Sequence, residues 1–62
     1  MSLTAYSPNG EHRLGSGTLP ELAERVRRLA LRQNGEAVAT AVQQDILQRG
    51  LAQCGGTVYV AV

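Results

Sequence analysis

The chain lacks tryptophan, phenylalanine and lysine, and its only aromatic residues are Tyr6 and Tyr59 among 62 positions. Any core must therefore be assembled from small aliphatic side chains, many of them alanine. A chain of this length removes only about 60% of its unfolded surface from water, so a monomer with such a core is expected to be marginal. Cys54 is the single cysteine, which excludes a disulfide framework. A zinc site would have to combine Cys54 with His12 and carboxylates that show no ligand spacing. No motif specifies a cofactor, and none is expected. There is no apolar run approaching the roughly 18 residues of a membrane span. Nor is there a charged start followed by an apolar segment, so no signal peptide is expected and the expected location is the cytoplasm. The formal net charge of +1 provides no strong electrostatic footprint for DNA or RNA.

What the chain does have is a long amphipathic stretch, residues 18–53, which predicts two helices joined at Asn34 and Gly35. The start of the first is marked twice. Thr18 and Glu21 stand in the spacing of a capping box, and Pro20 falls in the first turn, where its missing N–H costs nothing. Leu19, Leu22, Ala23, Val26, Leu29 and Ala30 then recur every three or four residues and form one apolar stripe. Arg25, Arg27, Arg28 and Arg32 lie outside it. Glu21 and Glu24 each precede an arginine by four, the favourable order for a surface ion pair. Either Asn34 or Gly35 can end the helix. In the second helix Ala39, Val42, Ile46, Leu47, Leu51 and Cys54 share a face, with Val38 and Ala41 on its flank. Gly50 interrupts this pattern: it either ends the helix a turn early or lets another backbone approach closely.

The termini carry strand patterns. Leu3 and Ala5 alternate with Thr4 and Tyr6, then Ser7-Pro8-Asn9-Gly10 supplies a tight turn, with a weak returning strand over residues 11–14. Gly15-Ser16-Gly17 leads to the helix cap; without a P-loop lysine and with Glu21 close by, it reads as a linker rather than a phosphate cradle. After Gly55-Gly56, residues 57–62 form the strongest predicted strand, with Val58, Val60 and Val62 on one face and Tyr59 and Ala61 on the other. The expected fold is α+β, in the order β-β-α-α-β. A two-helix hairpin lies on a small antiparallel sheet made by the N-terminal hairpin and the C-terminal strand, all within a single domain.

No residues form a catalytic constellation. His12 reads as an exposed loop histidine and Cys54 as a small buried apolar residue. Asp45 is placed to pair with Arg49, four residues on. The shortage of core makes oligomerisation or a protein partner the expected source of stability. If the last strand lies at an edge, it offers unpaired backbone groups and a valine-rich surface to a second copy or another protein's sheet. Val58, Tyr59, Val60 and Val62 are the candidate interface residues, Tyr59 fitting sheet packing and interface anchoring equally well. Arg13, Arg25, Arg28 and Arg32 are a candidate basic docking face; the same arginines also fit a solvated helix surface.

The Leu19-Pro20-Glu21-Leu22 start, the helix ending near Arg32-Gln33-Asn34-Gly35 and a second helix of similar length resemble the helical part of ribbon-helix-helix repressors and related antitoxins. In that family a strand just before the first helix pairs with its copy in a dimer and reads the DNA major groove. The resemblance implies that Glu11, Arg13 and Gly15 would occupy those positions, with Arg13 suited to base or phosphate contact. Two expectations follow. The first is a non-enzymatic binding module acting through protein contact as a homodimer, a regulatory or inhibitory accessory protein of the kind phages and plasmids encode. The second is a dimeric DNA-binding repressor.

Overall fold

The computed structural model describes all residues, Met1–Val62. Its elements run β1 (Ser2–Ser7), β2 (Gly10–Ser16), α1 (Leu19–Asn34), α2 (Glu36–Arg49), β3 (Leu51–Cys54) and β4 (Thr57–Ala61). The fold is α+β, and the four strands form one antiparallel sheet in the order β2-β1-β4-β3. No helix is long and apolar enough to cross a membrane.

The first turn is set by Pro8 and Asn9, with Gly10 taking the positive φ of 121° that an L side chain resists. Ser7 Oγ accepts from the Asn9 N–H at 3.2 Å and steadies that turn. The capping box forms as expected: the Glu21 N–H donates to Thr18 Oγ1 at 3.4 Å, and the Thr18 N–H donates to Glu21 Oε1 at 2.9 Å. Leu22, Ala23, Val26 and Ala30 are the buried residues of α1, the stripe that the sequence predicts. In α2 the buried residues are Ala39, Val42 and Ile46, whereas Leu47 stays exposed. The Gln43 side-chain amide donates to Glu24 Oε2 at 3.1 Å and ties the two helices together. Glu24 also pairs with Arg27 at 3.6 Å and Arg28 at 3.7 Å. The expected Glu21–Arg25 and Asp45–Arg49 ion pairs do not form: Glu21 turns to the Thr18 N–H and Arg25 to the Leu14 carbonyl.

One element departs from the predicted order. The second helix stops at Arg49, and residues that looked like its last turn form β3. Gly50 is the reason. Its φ of 68° closes the helix in the left-handed conformation, and its N–H donates to the Ile46 carbonyl. Its own carbonyl accepts from the Ala61 N–H at 2.8 Å, which starts the pairing with β4. Gly55 and Gly56 then join β3 to β4 rather than ending a helix. As a result the C-terminal strand is not an edge. Both its flanks are paired, by β1 and β3, so β4 has no free ladder to offer a partner.

Strand alternation divides the sheet. Leu3, Ala5, Ala52, Cys54, Tyr59 and Ala61 are buried and join the buried residues of both helices in one cluster of 13. Leu3, Leu22, Ile46 and Val26 are its largest fully buried side chains, with Val42 and Tyr59 buried beside them. The helices cover one face of the sheet and leave the other open.

Candidate interaction surface on the open face of the sheet

The register fixes what the open face carries, because residues directly opposite each other in an antiparallel pair point to the same side. One row across the strands is Arg13, Thr4, Val60 and Leu51; the next is Glu11, Tyr6, Val58 and Gln53. Beyond them Ser2 pairs with Val62 through two backbone hydrogen bonds of 2.6 and 2.9 Å. The middle of the face is apolar. Tyr6 is 45% exposed, Leu51 48% and Val62 78%, while Val58 and Val60 are half-buried beside them. Glu11 and Arg13 on β2 are its only charged side chains, with Gln53 at the opposite edge. An apolar centre with a polar rim is the composition of a contact surface.

Of the candidate interface residues, Val58, Val60 and Val62 come together here. Tyr59 does not: it is 5% exposed and lies on the helix side of β4, so of its two expected roles it takes sheet packing in the core and is not an interface anchor. Burial pushes its phenol above the ordinary value of 10.0, and the neighbouring Cys54 adds to the shift. Tyr6 and Leu51 join them on this face. Tyr6 is legible from its alternation with Leu3 and Ala5, but Leu51 is not, since the sequence pattern places it on a helix.

The arginines divide between two surfaces. Arg13 points from the open face, whereas Arg25, Arg28 and Arg32 line a shallow groove of about 540 Å³ on the outer side of α1, together with Glu21 and Glu24. That groove is of mixed charge. Arg25 is engaged within its own chain: its Nη1 donates to the Leu14 carbonyl at 2.7 Å. Arg28, with its side chain 77% exposed, is free to meet a ligand apart from its weak contact with Glu24.

Groups that carry chemistry lie apart from one another. His12 stands opposite Ala5 at the exposed β2 edge, while Cys54 is buried and accepts a hydrogen bond from Asn34 Nδ2 at 2.9 Å. No three His, Cys, Asp or Glu side chains gather into a cluster that could hold a metal ion. Comparison with protein-family models, with curated proteins and with solved structures gives no match for this chain.

Proposed function

We propose that this protein is a non-enzymatic binding module that works by presenting the open face of its sheet to another polypeptide, as a self-associating regulatory or inhibitory accessory protein. The observation that carries this reading is the uncovered apolar patch of Tyr6, Leu51, Val58, Val60 and Val62 in a chain whose buried core is built largely of alanine and other small side chains. Covering that patch with a partner removes apolar surface from water at about 25 cal/mol per Å², which a core this small has reason to recruit. Acting in the cytoplasm as a small phage- or plasmid-encoded protein is consistent with this size.

The test is site-specific photo-crosslinking in the source cell, with the photoreactive residue at position 6 on the open face or at position 28 on the outer side of α1. Covalent protein adducts from position 6, and few from position 28, support the proposal. Adducts from position 28 alone, or from neither, overturn it.

A second reading, DNA binding in the manner of ribbon-helix-helix repressors, draws on one feature: β2 is an edge strand lying directly ahead of α1 and carries an exposed Arg13. A gel shift with random duplex DNA decides it. Phosphate contacts dominate even non-specific affinity, so absence of binding at about 50 mM salt removes this reading.

A further inference from the structure

We infer that the occupant of the open face is a second copy of this chain, packed sheet on sheet about a two-fold axis that lies in the interface and runs across the strands. This rests on the open-face reading above and names its partner. The support is charge complementarity. Glu11 and Arg13 are the only charged residues on the face, they have opposite signs, and they occupy adjacent outward positions on the same strand. A two-fold axis across the strands, level with His12 and Tyr59, lays β2 over its copy in the reverse direction. Glu11 of each copy then meets Arg13 of the other, twice, and Val58 meets Val60 twice at the centre. Two-fold interfaces are self-complementary in this sense.

The competing two-fold axis, along the strands, does worse. It lays β2 over β3, setting Arg13 above Leu51 and Glu11 above Gln53, so that both charges lose water without gaining a counter-charge. Edge-to-edge growth through the central strands is closed because β1 and β4 are each paired on both sides. Aligned sheet packing turns the two strand sets by only about 30°, which long Glu and Arg side chains span at the rim.

Charge reversal with sedimentation equilibrium tests this. The wild-type chain is expected to dimerise. Glu11→Arg and Arg13→Glu, each confirmed as folded by circular dichroism, are expected to weaken dimerisation roughly tenfold or more, because each converts two attractive pairs into two repulsive ones. The double exchange Glu11→Arg/Arg13→Glu restores the wild-type value. An equimolar mixture of the two single variants forms heterodimers in preference to either homodimer. The inference is overturned by a wild-type chain that stays monomeric up to about 1 mM, or by single reversals that dimerise as well as wild type. A monomeric chain whose position-6 adducts contain a different protein overturns the second copy, and self-association with it, and leaves the open face standing as the contact surface. Absence of position-6 adducts overturns the open-face reading itself.

Discussion

The guanidinium of Arg25 in α1 donates from Nη1 to the main-chain carbonyl of Leu14 in β2, 2.7 Å away. This contact sits where the register of β1 and β2 slips between Leu3 and Thr4, leaving Leu14 as the extra residue of a bulge. A bulged residue loses a ladder partner, and the arginine supplies one. Gly15, at φ 112°, makes room: a Cβ there would collide with the guanidinium. Leu14 packs against the core through the same distortion. The bulge, the helix and the edge strand are thus one unit. Arg25→Ala is expected to lower stability by about 1 kcal/mol, the scale of one hydrogen bond. Gly15→Ala is expected to cost more, about 1–3 kcal/mol, because it adds backbone strain to the collision. Urea denaturation of both variants measures the order; an Arg25→Ala chain as stable as wild type would show that the bulge stands without the contact.

The helix cap makes part of the stability pH-dependent. The Glu21 carboxyl is held below its ordinary value of 4.5, chiefly by its backbone hydrogen bond from Thr18, with the Thr18 side chain and the Arg25 charge adding to the effect. A carboxyl whose folded value is depressed binds protons more readily when unfolded, so its contribution is complete above the ordinary value and is lost as pH falls through the depressed one. Melting temperatures measured downward from pH 6 are expected to decline below about pH 4.5. Glu21→Gln keeps a side-chain acceptor for the Thr18 N–H but cannot titrate, so its acid decline is expected to be shallower. Equal slopes in the two chains would remove Glu21 from the acid response.

How much of this was legible depended on whether a signal was local. The cap at Thr18, the stripe from Leu22 to Ala30 and the turn at Pro8-Asn9 each need only neighbours in sequence, and each was readable. Gly50 also announced an interruption. What could not be read was its consequence, because the Ala61 N–H that fixes the Gly50 carbonyl comes from eleven residues later. Leu51 therefore reads as a helical apolar residue from sequence, and only its pairing with Val60 places it on the open sheet face. The interior position of β4 is likewise a matter of tertiary pairing. Val58, Val60 and Val62 share a face by period-two alternation alone, but which face the helices cover is decided by the core as a whole, and the small residue Ala61 with Tyr59 took the covered side.

Val60 and Arg27 separate contact surface from solvated surface. Val60 is flanked on the open face by Thr4 and Leu51, so Val60→Asp places a charge at the middle of the patch and in a central strand. It is expected to abolish self-association and to lower the stability of the folded chain by about 1–2 kcal/mol. Arg27 has one 3.6 Å ion pair with Glu24, which is shared with Arg28. Arg27→Ala is expected to change stability by less than about 0.5 kcal/mol. Light scattering and thermal melts of the two variants give the comparison, and the opposite ranking would mean that the buried and exposed surfaces have been interchanged.

Tyr59 titrates on the alkaline side, and there the sign is opposite in direction to that of Glu21. Its phenol is raised above 10.0, first by burial and then by Cys54, so the unfolded chain loses this proton before the folded chain does. The neutral phenol thus stabilises the fold fully below pH 10, and the contribution drains away as pH rises toward the folded value. Tyr59→Phe keeps the ring that packs between sheet and helices while removing the ionisable group. It is expected to stay within about 1 kcal/mol of wild type at pH 7 and to lose stability less steeply above pH 10. Tyr59→Ala, by contrast, leaves a cavity beneath both helices and is expected to cost about 3–5 kcal/mol, enough to unfold a domain with so small a core. If Tyr59→Ala instead folded normally and lost only its self-association, the ring would belong to the contact surface, and the assignment of the two sheet faces would have to be exchanged.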